Sequence, residues 1–471
     1  MVQADKISAI FCVNTCSYSN ECEQKTLSFA SLNLIQSDFL KNAGKLFSGS
    51  VVAQLIGFAA LAALGRLYEP EDFGTVETFM KLAGVFAVVA GLRYETAIVV
   101  ENNSDSAKDL VRLSLFLNTF ISILLFIAIL IFNKWLTPLF NFENSNTLYA
   151  LPFTIWIMSS TETIIMWQNR SKNYNRISSN RVLYSMSGTG YKLLHPLANL
   201  IKGNGLLIGQ ILSQAIAFVH IAYTLPLKIA DFTKDNLRAV AKTYKSFALF
   251  SSPAALLNLL ALSMPVFMLT IFAGKESTGH FATAYKLSYL PMSMLAMALG
   301  QVFFERIARL KEEKESASQM AHELVNIMFG VAVIPVCILV VWGDKIAPFV
   351  LGAQWEESGV YIQITILFYF AMFMTSSFSS AFATYDKLKV QLGYNAIFLA
   401  ATTAAMYFGF TIGGSARVAL AWFTIVGTLL RIGILNYFFL LFGKNLIPKT
   451  IFALAITVIL VYVGVGIREG F

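Results

Sequence analysis

Charge is what this sequence lacks. Asp, Glu, Lys and Arg make up 13% of its 471 residues, against about 25% in an ordinary soluble domain. Long polar loops are scarce too. The largest, 227–246 and 306–324, leave no room for a catalytic domain outside the apolar blocks. Histidine falls to four residues, His195, His220, His280 and His322, too scattered for a metal cluster. Cysteine also numbers four. Cys12, Cys16 and Cys22 share a polar stretch but form no paired C-x-x-C, so a zinc site is poorly supported. There is no Walker A sequence, so ATP does not drive the protein directly. HEL at 322–324 lacks the second histidine of a zinc helix. No motif for hydrolysis or group transfer remains. The expectation is a protein that is not an enzyme and holds no cofactor or metal.

What is there is apolar. Hydrophobic residues make up 56% of the chain, and the mean hydropathy is +0.65. Apolar runs of about 20 residues recur throughout, each long enough to cross about 30 Å of hydrocarbon. The short alternating segments of a β-barrel are absent. The pattern predicts an all-α polytopic membrane protein. Thirteen candidate spans can be drawn, at 46–65, 76–100, 111–132, 148–168, 182–201, 205–225, 247–272, 283–304, 323–342, 359–384, 390–410, 416–441 and 449–467. The fifth is the most polar, carrying Lys192, His195 and Pro196, and the proline should kink it. With the N-terminus in the cytoplasm, Lys and Arg favour the cytoplasmic segments by roughly three to one, as the positive-inside rule requires. The net charge of +8 is therefore a topology signal and gives no reason to expect nucleic acid.

RLYEPEDFG at 66–74 joins the first two apolar blocks. Pro70 should end the first helix, and Glu71 and Asp72 suit the positive end of the next helix dipole. Gly74 is followed seven residues later by Lys81-Leu82, and Gly279 by Lys286-Leu287. A shift of 205 residues overlays the two. Because it spans six helices, both halves run the same way, as in transporters built from parallel repeats. The predicted division is a polar tail over 1–40, a first lobe of helices 1–6 over 41–226, and a cytoplasmic inter-lobe loop over 227–246. A second lobe of helices 7–12 follows over 247–441, then an additional helix over 442–471.

GKLFSGSVVAQLIGFAALAALGRLYEPEDFGTVETF, followed by GLRYETAIVV, resembles the start of Wzx-type oligosaccharide flippases. These belong to the superfamily that also holds multidrug and toxin extrusion pumps and the lipid II flippase. The likeness continues through WQNRSKNYNRISSNRV (167–182), NGLLIGQ (204–210), FALFSSPAALLNLLALSMPVFML (247–269), AYKLSYLPMSMLAMALGQVFFERIA (284–308) and LGAQWEESGVYIQI (351–364). It covers about residues 40–440; the first 35 residues and an odd thirteenth span depart from the pattern. The resemblance implies twelve to fourteen helices in two pseudo-symmetric six-helix lobes around a central cationic cavity. It implies alternating access that carries undecaprenyl-diphosphate-linked oligosaccharide from the cytoplasmic to the periplasmic leaflet of a bacterial inner membrane, driven by a proton or sodium gradient. Products would feed O-antigen, capsule or exopolysaccharide assembly, with membrane lipid and the polymerase and chain-length proteins of the same pathway as partners. A drug/cation antiporter of the same superfamily and a membrane enzyme of polysaccharide assembly are the alternatives.

A diphosphate and a polar glycan need a polar path through hydrocarbon. Ionisable groups inside spans are therefore the candidate site. Lys81 and Lys286, related by the repeat and about two turns inside their helices, either line a cavity or snorkel to the outer headgroups. Glu77 precedes Lys81 by one helical turn, a favourable pairing. Lys192 joins them as a substrate candidate. Arg66 would sit on the outer rim or anchor its helix. Glu162, inside the fourth span, is the first candidate for ion coupling, unless it is a helix-end residue bonded to Ser159, Ser160 or Thr163. His195 and His220 are further coupling candidates, or hydrogen-bonded structural histidines. Arg93 and Glu95 form an inner gate or an interfacial ion pair. Arg431 should snorkel to the cytoplasmic side. The amides Asn258, Gln210, Gln214, Gln301 and Asn395 read as interhelical glue.

Overall fold

The computed structural model describes residues 49–198, 204–225, 234–309, 314–379, 381–385 and 387–442. The predicted tail and the thirteenth span at 449–467 lie outside them. Among the described residues the secondary structure is helical, without strands. Nine helices among them are long and apolar enough to cross a membrane.

The first half contains α1 (Gly49–Leu67), α2 (Pro70–Ala90), α3 (Tyr94–Val100), α4 (Ser104–Leu139), α5 (Ser145–Arg170), α6 (Tyr174–Ala198) and α7 (Gly205–Ala222). A short α8 (Lys234–Thr243) and a π-turn (Phe247–Ser251) lead into the second half. There follow α9 (Ser252–Arg309), α10 (Lys314–Leu351), α11 (Glu356–Ser376), α12 (Ala381–Thr384), α13 (Leu388–Gly413) and α14 (Ala416–Leu441). Gly274, at φ 84°, breaks α9 into two crossings, 252–273 and 275–309. Only glycine takes that conformation at little cost.

Local signals explain where the helices begin. Pro70 is the first residue of α2, where its missing N–H costs nothing. It opens the second helix and does not close the first, which stops at Leu67. The Asp72 carboxylate accepts from the Glu69 N–H at 3.3 Å. Asn103 caps α4 by accepting from the amides of Asp105 and Ser106, so α4 starts well before the apolar stretch begins. Asn204 caps α7 in the same way through Leu206 and Leu207. Pro196 lies near the end of α6, which runs unbroken through it.

The expected continuous span 76–100 is two pieces. α2 stops at Ala90, and Leu92 (φ 49°) and Arg93 (φ 61°) turn the chain left-handed before α3. The turn drops Tyr94, Glu95, Ala97 and Ile98 into the interior.

Buried apolar clusters divide along the chain. One draws only on residues 261–442. Another gathers residues of α2, α4 and α5 with Phe267. The halves meet where Gly74 on α2 crosses Gly279 on α9. A Cβ on Gly74 would stand 1.9 Å from the Lys275 carbonyl oxygen, and one on Gly279 would stand 1.8 Å from that of Pro70. Pro70 and Lys275 are themselves 205 positions apart, so the contact is reciprocal, as a two-fold relation demands. Further links gather at this hinge end. The Trp355 indole donates to the Gly65 carbonyl at 2.7 Å, Asn141 Nδ2 to the Thr270 carbonyl at 2.5 Å, and Lys275 Nζ pairs with Glu143 at 2.8 Å. At the opposite, loop end Arg170 donates to the Ile98 and Glu101 carbonyls within the first half, and Tyr244, on the segment leading to the second half, donates to the Glu101 carboxylate.

Candidate functional site

Glu77 sits one turn below the glycine crossing and faces the other half. Its Oε1 lies 3.4 Å from Lys81 Nζ on the same helix. Its Oε2 lies 3.4 Å from Lys286 Nζ on the second segment of α9. One carboxylate thus joins the two lysines that the repeat relates. The lysine side chains are 27% and 30% exposed against 14% for Glu77, so the ammonium groups keep access to open space while the carboxylate is largely covered. Lys81 Nζ stands 5.8 Å from the Tyr285 ring centroid and Lys286 Nζ 5.4 Å from that of Phe73, both within cation–π reach.

Depth separates cavity lining from snorkelling. α2 begins at Pro70 and the second segment of α9 just after Gly274. Each lysine is therefore about three turns in, or about 16 Å at the α-helical rise, near the middle of about 30 Å of hydrocarbon. That is one turn further along the helix than the two turns expected from hydropathy. Beside the pair, Thr78 and Thr270 hydroxyls meet at 2.7 Å and Thr270 meets Thr278 at 3.0 Å.

Lys192 approaches from α6. It donates to Gln210 Oε1 at 2.5 Å, its backbone carbonyl accepts from the Tyr68 hydroxyl at 2.7 Å, and its charge is within electrostatic range of Lys286. Gln210 in turn donates to the Tyr184 hydroxyl. Gly209 leaves room for the lysine stem, since a Cβ there would stand 2.7 Å from Lys192 Cγ. Three lysines and one carboxylate therefore share this region. On its second-half side the rings of Tyr285, Tyr289 and Tyr369 cluster with centroids 5.5–5.8 Å apart, tilted or edge-on to one another, with Tyr289 and Tyr369 buried.

The remaining candidates lie elsewhere. Arg66 is exposed and reaches the Phe349 carbonyl at 3.4 Å, at the rim and away from the lysines. His195 is buried against Tyr191, and Gly205 makes space for it. His220 Nδ1 is 3.2 Å from Asn180 Nδ2, and its carbonyl accepts from Arg176 at 2.6 Å. Arg431 does not reach toward headgroups. Its guanidinium lies 5.0 Å from the Phe398 ring and 6.0 Å from that of Phe368, with NH1 3.4 Å from Thr375 Oγ1. An apolar pocket rewards cation–π stacking inside the bundle.

Arg93, Glu95 and Glu162 come together with Gly91, Asn118 and Ser159 around a cavity of about 340 Å³. Arg93 NH1 is 3.7 Å from Glu95 Oε1. Glu95 is buried, whereas Glu162 is exposed. Reading the sequence missed Asn118, hidden in the apolar run LSLFLNTFIS. It also missed that Glu77 has a second partner 209 positions away.

The described helices form a MATE-like membrane transporter fold. Residues 63–360 match the polysaccharide biosynthesis protein family, and the chain belongs to that family. The succinoglycan biosynthesis transport protein ExoT of Rhizobium meliloti is 20% identical over 379 residues, 80% of this chain and 75% of that protein. Among solved structures, an inward-facing multidrug resistance MATE family transporter aligns with a TM-score of 0.63 at 18% identity, covering 83% of this chain and 94% of that one. The lipid II flippase MurJ, in an inward closed conformation, aligns with a TM-score of 0.63 at 13% identity, covering 91% and 98%. At those identities the structural likeness concerns the fold.

Proposed function

We propose that this protein moves undecaprenyl-diphosphate-linked oligosaccharide from the cytoplasmic to the periplasmic leaflet of a bacterial inner membrane, with the hinge end facing the periplasm. The observation that carries the reading is the convergence of Lys81 and Lys286 on Glu77. Two ammonium groups at mid-membrane depth share one carboxylate, and Lys192 adds a third positive charge nearby. Such a site suits a diphosphate, which could take both lysines from Glu77 with charge-assisted contacts. Family membership and the transport role of ExoT support the polysaccharide branch over drug export. The reciprocal crossing at Gly74 and Gly279, which relates the two halves by a two-fold, supports alternating access. Loss of the Glu77 bridge would remove one of the links that hold the two halves together toward the hinge end.

The test is a leaflet assay. Protein is reconstituted in liposomes carrying undecaprenyl-diphosphate-linked glycan on one face, and an impermeant glycosidase reports its arrival on the other. Lys81→Ala, Lys286→Ala and Lys192→Ala should each slow translocation by about tenfold or more while the protein stays folded, the loss of one charge-assisted contact. Wild-type rates in all three would sink the assignment of the site. No translocation by the wild type with any of several glycans would sink the function.

A further inference from the structure

A basic strip runs along one face of α8 and the residues just beyond it. Arg238, Lys242 and Lys245 are all exposed, and spacings of four and then three residues place them on one helical face. The helical path continues past Thr243: the Tyr244 N–H donates to the Val240 carbonyl at 3.0 Å, and Ser246 keeps helical angles, φ −61° and ψ −31°. The other face is committed to the bundle. Val240 is buried in a cluster with Tyr94, Ile98, Leu110 and Val111, and Leu237, Ala241 and Tyr244 pack against it. The Tyr94 hydroxyl donates to the Ala241 carbonyl at 3.1 Å. α8 is thus fixed by its apolar side, and its cations face outward.

Lys108, Arg112, Lys275 and Arg417 each pair with a carboxylate. Among the described residues, Arg238, Lys242 and Lys245 do not. Asp235, the acidic residue of α8, stands at its far end. One turn past Lys245 come Leu249 and Phe250, 61% and 71% exposed, in the π-turn that opens the crossing 252–273. Apolar side chains that bare belong in hydrocarbon rather than water, so they mark where the hydrocarbon begins. At the helical rise Lys245 lies about 6 Å and Lys242 about 10 Å along the chain from Leu249. The headgroup layer is about 5–8 Å deep on each side of the hydrocarbon, and lysine and arginine stems reach further toward it. The strip therefore stands at the level of the lipid phosphates.

We propose that the basic face of α8 binds the headgroups of anionic phospholipids at the bilayer surface. Arg238 offers phosphate a bidentate fork, and Lys242 and Lys245 offer compact point charges. An acidic protein would match the charges alone. A lipid matches both the charges and the bare apolar pair beside them, with phosphate against the lysines and acyl chain against Leu249 and Phe250. α8 stands on the connection between the two halves, so bound lipid holds that connection at the membrane surface. The contact depends neither on the cargo of the lysine cluster nor on which leaflet the loop end faces, so this reading and the proposed function can fail separately.

The test uses the full-length protein in phosphatidylcholine nanodiscs that contain a trace of phosphatidylglycerol with a photoreactive headgroup. After illumination, peptide mass spectrometry locates and counts the adducts. Labelling should fall on residues 234–251, and unlabelled phosphatidylglycerol should displace it where added phosphatidylcholine does not. The combined variant Arg238→Gln/Lys242→Gln/Lys245→Gln should lower it by about tenfold or more, since each cation near a charged surface contributes about fivefold. Lys172→Gln/Lys389→Gln, exposed in other loops, should leave it unchanged, which separates the strip from basic loops in general. Asp235→Asn should raise it, a gain that misfolding does not produce. Equal labelling of the wild type and the triple variant overturns the proposal. Displacement by both lipids alike also overturns it, because the segment then merely touches the bilayer. Absence of label from 234–251 overturns it too, and leaves the strip to an acidic protein.

Discussion

Gly74 and Gly279 stand back to back, 205 positions apart in the chain, so that a Cβ on either would lie 3.0 Å from the amide nitrogen of the other. The same additions would meet carbonyl oxygens at 1.9 Å and 1.8 Å, so neither backbone has room to accept a methyl group. Gly74→Ala and Gly279→Ala should each destabilise by about 1–3 kcal/mol, the usual cost of overpacking. Because the contact is reciprocal, the two losses should be similar. Gly57, with nothing within 4 Å of its added Cβ, is the control, and Gly57→Ala should be neutral or slightly stabilising. Denaturant unfolding in micelles reads all three. A Gly74→Ala protein as stable as Gly57→Ala would contradict the crossing.

Glu77→Gln removes the charge that holds Lys81 and Lys286 together. Two partly covered ammonium groups would then face each other without a counter-charge. The expected stability loss is about 1–3 kcal/mol, reduced by the lysines' partial exposure. Adding Lys286→Met should recover part of it, because the repulsion disappears with one partner. Additive losses in a double-mutant cycle would mean the bridge carries no coupling between the halves.

Trp355 is fully buried, donates to the Gly65 carbonyl and stands edge-on to Phe73 at 4.9 Å. Trp355→Phe keeps an aromatic ring but loses the donor. The Gln354 amide still reaches the same carbonyl at 3.0 Å, so the penalty should stay near the low end, about 1 kcal/mol. Thermal unfolding measures it. A loss several times larger would show that Gln354 gives no cover.

At the loop end the Tyr244 hydroxyl donates to the Glu101 carboxylate and holds its carboxyl below the usual range. A depressed carboxyl adds stability above its unfolded value, about 4.3 for glutamate. That stability is lost as pH falls through the lower folded value. Tyr244→Phe should therefore differ from wild type at neutral pH and converge with it as the solution is acidified below about pH 4. The gap should be small, because Glu101 is open to solvent. Urea midpoints across pH provide the measurement; a gap that widens on acidification would reverse the sign of the argument.

The fold was readable where physics acts locally. Apolar runs marked the crossings, and the spacing of Gly74 and Lys81 against Gly279 and Lys286 marked the repeat. The break after Ala90 was not readable, because Leu92 and Arg93 carry no mark of a left-handed turn and a hydropathy window smooths across them. α4 outran its predicted span because a cap at Asn103, not hydropathy, sets where it starts. Arg431 was placed by charge alone, and the Phe398 face that receives it comes from another helix. The candidate site was half visible. Every charged member could be picked out, and so could the Glu77–Lys81 pair at one-turn spacing. Long-range partners, such as Lys286 for Glu77 and Thr163 for Asn118, exist only once the helices pack.

The 205-residue shift that relates Lys81 to Lys286 sets Ala282 opposite Glu77. The duplicated frame therefore holds a single, unduplicated anion. On the function proposed above, both lysines are already ligated when a diphosphate arrives, so its entry is a substitution reaction in which Glu77 is the leaving ligand, and capture of cargo dissolves the Glu77 bridge between the halves.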